Sequence, residues 1–254
     1  MSSYSISDGN FDKDSLRRLY AYAKSLHTAS DETDLDIIFD VAINNEDRFP
    51  GINITCEKTP KNYIERWVKS YYDAINNPPS QRTAKPKSAC TDPAISVIVR
   101  ATQNMNDNQA AAGEKMHNLF MSAENIQGNL LEEYIASKVR PYGFVWCGGN
   151  VLRAIDFCNT DGSLMLQIKN KSNTENSSSS NIREGTAIEK WYRLGTKTVA
   201  GVKVPDYKWS ELNKLISDHR TEGFDLPPCD MSEEEYERFL SDVASNNDGI
   251  ITDQ

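Results

Sequence analysis

The chain has 254 residues, 38% of them hydrophobic, and a mean hydropathy of −0.61, which allows one large domain or a core with an appended helical part. No stretch approaches the roughly 20 apolar residues of a membrane span and the N-terminus shows no basic-then-apolar pattern, so a membrane-spanning helix is excluded and a cytoplasmic protein expected. The net charge of −9 and pI near 5.0 exclude a protein that holds nucleic acid by overall positive charge.

Along the first third, apolar residues recur at helical spacing. They predict a helix beginning near Asp12 (Leu16, Leu19, Ala23, Leu26), a second over Asp34 to Asn44 and a third over Lys61 to Asn76. Pro78-Pro79 ends the third, and a loop is expected up to Pro93. A fourth helix starts at Pro93. The polar stretch Asn104–Asn108 separates it from a helix through Met116, Leu119 and Phe120, and another follows over Gly128 to Ala136. After Gly143 the pattern changes to strands: Phe144 to Cys147, Val151 to Phe157, and Leu164 to Lys169 beyond a turn at Asn159-Thr160-Asp161-Gly162. Asn170 to Asn181 is low-complexity and polar. Ile188 to Leu194 reads as a helix, Thr198 to Val204 as a strand and Trp209 to His219 as a helix. The expected organisation is an N-terminal helical region (1–122), a core (123–220) and an acidic C-terminal segment (221–254).

The charge is unevenly spread. From residue 221 onward one base, Arg238, stands against ten acids, a net −9 that equals the whole formal charge. Residues 165–200 instead carry six bases and three acids. A local positive surface inside an acidic protein suits an enzyme that must leave DNA after a specific encounter, because acidic surroundings suppress sequence-independent phosphate attraction. The five cysteines are scattered without C-x-x-C spacing and read as reduced thiols. The three histidines match no zinc pattern.

The chemistry concentrates at Asp156 and Gln167-Ile168-Lys169. An acid on one strand and a lysine on the next converge at one end of a hairpin, where they can hold a hard cation beside a phosphate. Gln167 offers a side-chain oxygen, Ile168 its backbone carbonyl, and Lys169, two residues on, shares the face of Gln167. The expected cation ligands are therefore Asp156, Gln167 and Ile168, with Mg²⁺ as the ion. Each piece also has a structural explanation, as a hairpin-edge acid or an alternating strand end. Order and spacing taken together favour catalysis.

This arrangement resembles the PD-(D/E)xK nuclease core, in which Gln sometimes replaces the second acid. The run Gly128-x-x-Leu131-Glu132-x-x-Ile135-Ala136 is similar to the helix that precedes that core. The resemblance implies a mixed α/β (α+β) sheet flanked by helices, with Glu132 as a helix acid that offsets the carboxylate missing at Gln167; Glu133 is the alternative. The segment from Gln167 through Arg193 resembles type II restriction endonucleases of the SinI/AvaII kind, which recognise GGWCC or GGNCC. That likeness implies a Mg²⁺-dependent, site-specific DNA endonuclease acting on double-stranded DNA, a homodimer on a palindromic site, and a DNA methyltransferase as genetic partner. Residues 170–193 are the expected reader of substrate: Lys171, Asn173, Asn176, Ser178, Arg183, Lys190 and Arg193 carry side chains that bond phosphates and base edges. Two other readings remain: a repair or methylation-dependent nuclease of the same fold, and a non-catalytic DNA-binding or protein-interaction module.

Overall fold

The computed structural model describes residues 3–6, 11–27, 33–83, 93–171, 188–221 and 226–251. Seven α-helices and five strands lie among them, an α+β fold. The first three helices, α1 (Lys13–Ser25), α2 (Thr33–Asn44) and α3 (Pro60–Asn76), follow the apolar period of the sequence. Asp12 caps α1 by accepting from Ser15 N–H at 2.9 Å. Thr59 caps α3, with Pro60 at the first helical position, where a missing N–H costs nothing. From α3, Tyr63, Ile64, Trp67 and Val68 are fully buried.

Where the sequence predicts two helices between Asn108 and Pro141, one continuous helix is found, α5 (Asp107–Val139), after the short α4 (Pro93–Gln103). A reciprocal cap between Asn106 and Gln109 starts α5. Gly128 lies inside it, and a mid-helix glycine costs only about 1 kcal/mol relative to alanine.

The sheet runs β1 (Phe144–Trp146), β2 (Phe157–Asn159), β3 (Met165–Lys171), β4 (Ile188–Val199), β5 (Val202–Tyr207), with the strands adjacent in that order. β3 and β4 are parallel; the other pairs are antiparallel. Three expectations are corrected here. The strand expected over Thr198 to Val204 is the hairpin joining β4 to β5, which turns at left-handed Ala200 (φ 50°) and Gly201 (φ 81°). Ile188 to Leu194 is the start of β4, not a helix. The predicted strand from Val151 shrinks to Phe157–Asn159, because the chain before it turns through left-handed backbone at Asn150 (φ 56°) and Ala154 (φ 62°).

Both faces of the sheet are covered. Val145, Cys147, Cys158, Met165 and Ile188 pack with α1–α3 in one core. Phe144, Phe157, Leu166, Ile168 and Trp191 pack with α5, α6 (Trp209–Asp218) and α7 (Glu233–Asn246) in the other. The acidic C-terminal segment therefore supplies part of the second core: Tyr236 and Val243 of α7 are buried. Its first-turn acids have interior partners, since Glu235 accepts from Tyr134 Oη at 3.1 Å and from Lys138 Nζ at 3.2 Å. Among the described residues no helix is long and apolar enough to cross a membrane.

Candidate active site

Asp156 stands one residue before β2. Its N–H donates to the Leu166 carbonyl at 2.8 Å, and its own carbonyl accepts from Cys147 N–H at 2.9 Å, so its backbone is fixed between β1 and β3. The side chain is fixed too, because Oδ2 accepts from Ile168 N–H at 2.7 Å. The β2–β3 register, Phe157 opposite Leu166, sets Asp156 opposite Gln167 when continued by one residue. Left-handed Ala154 shapes this approach, at a backbone cost of about 1–2 kcal/mol for a residue with a Cβ. On the far side, Trp67 Nε1 donates to the Val151 carbonyl at 2.7 Å and holds the same turn against α3.

Gln167 and Lys169 alternate with buried Leu166 and Ile168 along β3 and share the opposite face. Gln167 is only 5% exposed, and its Oε1 has no hydrogen-bond partner among the described residues. An orphaned buried acceptor costs about 1–3 kcal/mol, a cost that a cation ligated by this oxygen would relieve.

Glu132 reaches the same region from α5, whose neighbouring Leu131 and Ile135 are buried in the second core. Its Oε2 accepts from Trp146 Nε1 at 3.2 Å. Burial first, and then the negative charge of Asp156, push the Glu132 carboxyl up to about 8, against smaller opposing effects of Trp146, Lys169 and Arg82. Glu132 and Asp156 both line a cavity of about 330 Å³ whose wall includes Trp146, Gly148 and Gly149. Gly149 (φ 78°) cannot be replaced there: a Cβ would lie 2.2 Å from the Ser70 carbonyl oxygen of α3. Glu133 is turned elsewhere and accepts from both the N–H and the hydroxyl of Ser80.

The donor set fits a hard divalent cation. Two carboxylates, the orphaned Gln167 Oε1 and the Ile168 carbonyl are all oxygens, the ligand type Mg²⁺ prefers. Among the described residues no cluster of three or more His, Cys, Asp or Glu exists, so a cation here draws on amide and carbonyl oxygens as well as carboxylates. A cation beside Asp156 and Glu132 would also offset the Asp156 repulsion that, after burial, raises the Glu132 carboxyl.

The expected DNA-reading residues fare differently. Lys171 ends β3 and pairs with Glu124 at 3.0 Å. Lys190 of β4 stands opposite Gln167 in register, with its ammonium 5.5 Å from the Tyr192 ring centroid. Arg193 is buried rather than exposed: it is 4% exposed, its Nη1 pairs with Glu233, and its Nε donates to Asn170 Oδ1 at 2.8 Å. The reason is local charge burial, since the first turn of α7 brings Glu233 into the second core. Asn173, Asn176, Ser178 and Arg183 lie outside the described residues. Sequence reasoning missed Arg82 and Asn129, which line the cavity with Glu132 and Asp156. Only the packing of the turn after α3 against α5 brings Arg82 there, from far earlier in the chain.

Comparison with known proteins points the same way. The model of the family described as SinI restriction endonuclease matches residues 56–224. The chain is 37% identical over 135 residues to the type II restriction enzyme Eco47I of Escherichia coli, covering 52% of this chain and 57% of that enzyme. It is 39% identical over 112 residues to the type II restriction enzyme SinI of Salmonella infantis, covering 42% of this chain and 49% of that enzyme. These matches span about half the length of each relative.

Proposed function

The chain belongs to the SinI restriction endonuclease family, and from that premise we propose that it is a type II site-specific deoxyribonuclease that hydrolyses double-stranded DNA with Mg²⁺. One observation carries the proposal: the Asp156 carboxylate is hydrogen-bonded to Ile168 N–H, between Gln167 and Lys169, and shares a cavity with half-buried Glu132. Asp156, Glu132, Gln167 and the Ile168 carbonyl would hold the cation, which supplies charge neutralisation at the phosphate and eases proton loss from water. Lys169, on the face of Gln167, orients the attacking water and binds the phosphate undergoing attack. Half-buried Trp146 and buried Gly148 limit bulk water around the two acids.

The family and the resemblance at 167–193 favour a GGWCC or GGNCC site, a genetic link to a DNA methyltransferase and action in the cytoplasm. Lys171 and Lys190, with Asn173, Asn176, Ser178 and Arg183, are the residues we assign to DNA contact. Plasmid digestion tests the activity. Discrete fragments with Mg²⁺ and intact DNA with a chelator are expected; a smear, or cutting without a divalent ion, contradicts the proposal.

A twofold site calls for a twofold enzyme, and the α4–α5 hairpin supports a second copy as its partner. α4 has no buried residue, and α5 has none before Ser122. Seven of the thirteen exposed large hydrophobics among the described residues lie here, Ile95 and Ile98 at 61% and Phe120 at 64% among them. A contiguous exposed apolar surface of this kind marks an interface between protein copies. The one basic residue of α4, Arg100, is paired with Asp107, which disfavours DNA as the occupant. Sedimentation equilibrium should give a dimer for the wild-type protein and a monomer for Phe120→Glu. A wild-type monomer, or a variant that still dimerises, removes this surface from the proposal.

A further inference from the structure

We infer that Arg82 grips a backbone phosphate of the DNA bound at the candidate active site, an assignment that rests on the nuclease reading above. Arg82 belongs to a short irregular segment after the 3₁₀ turn Pro79–Gln81. Such segments are ordinarily the least constrained part of a fold. This one is fastened from two sides. Glu133 of α5 accepts from Ser80 N–H at 2.8 Å and from Ser80 Oγ at 2.5 Å. Asn247, which ends α7, donates through Nδ2 to the carbonyls of Ser80 at 2.8 Å and Arg82 at 3.0 Å.

The guanidinium is then held by one edge. Its Nε donates to the Asn77 carbonyl at 2.8 Å. The two Nη groups make no hydrogen bond or ion pair among the described residues, although Arg82 lines the cavity that contains Glu132 and Asp156. An arginine beside two carboxylates ordinarily closes a forked pair with one of them. Arg82 closes none, and the partner that suits a fixed, half-satisfied fork is a planar pair of anionic oxygens. In a nuclease cavity that ligand is a phosphodiester. Glu133, one residue from Glu132, thereby gains a role of its own, which is to position the loop that carries Arg82.

The test uses full-length protein and a labelled duplex containing GGACC, with Ca²⁺ replacing Mg²⁺ so that binding is read without cleavage. Affinity is measured by anisotropy from about 50 to 200 mM salt. Arg82→Gln is expected to bind about tenfold more weakly and to lower the slope of log K against log salt by about 0.9 per protein copy, the signature of one lost phosphate contact. Arg82→Lys should keep the slope, because it keeps the charge, and recover only part of the affinity, because it lacks the fork. A loop-fastening role alone would lower the melting temperature and leave the slope unmoved. A Gln variant with wild-type affinity and slope overturns the inference while leaving the nuclease reading intact. Wild-type protein that binds no duplex overturns both.

Discussion

Asp156→Asn is expected to lower single-turnover DNA cleavage by about 10³-fold, equivalent to ~4 kcal/mol of transition-state stabilisation. The protein should remain folded, since the amide oxygen of Asn can still accept from Ile168 N–H, the bond that ties this residue to β3. Duplex affinity in Ca²⁺ should hold or rise, because one negative charge leaves the phosphate site. The substitution also removes the charge that, after burial, keeps the Glu132 carboxyl high. Glu132 then gives up its proton more readily but has lost its companion ligand. Cleavage at the wild-type rate would reduce Asp156 to a hairpin residue and Gln167-Ile168-Lys169 to an ordinary strand end.

Arg193→Ala is expected to destabilise the protein by about 3–5 kcal/mol, the usual consequence of stranding one partner of a buried ion pair. The side chains of Arg193 and Glu233 are only 5% and 11% exposed. The guanidinium also lies near the rings of Tyr207 and Tyr236, at 5.5 and 5.2 Å, and Trp209 Nε1 donates to Glu233 at 2.8 Å. Replacing both charges by apolar residues of similar volume should cost far less than removing one. Urea unfolding monitored by tryptophan fluorescence measures the difference. A variant within about 1 kcal/mol of wild type that has lost DNA affinity would return Arg193 to the substrate-reading role its sequence position suggests.

The contrast between these residues shows what the sequence makes legible. Asp156 and the Gln167–Lys169 run are separated by a single short turn, so strand periodicity alone brings them together. Glu132 follows from its flanking Leu131 and Ile135, whose burial fixes the helix face. Helices α1–α3 announce themselves through apolar spacing and through caps at Asp12 and Thr59. β4 does not. Ile188 packs in one core and Trp191 in the other, so the strand is covered on both faces and its apolar residues fall at a helix-like interval of three. The Val151–Asp156 segment deceives in the opposite direction. Val151, Leu152 and Ile155 are buried as a strand's would be, yet left-handed Ala154 bends the chain through them. Arg82 and Arg193 lie beyond the reach of periodicity altogether, because tertiary packing decides whether a charge faces a cavity, solvent or a buried acid.

Sequencing the ends of fragments cut from a bacterial genome in Mg²⁺ tests the central claim most directly, namely that this site cleaves DNA at one short sequence. The prediction is that the ends map to a single twofold-related five-base motif of the GGWCC or GGNCC type, cut on both strands. Ends scattered without a shared motif, or confined to nicks and branched structures, would contradict it.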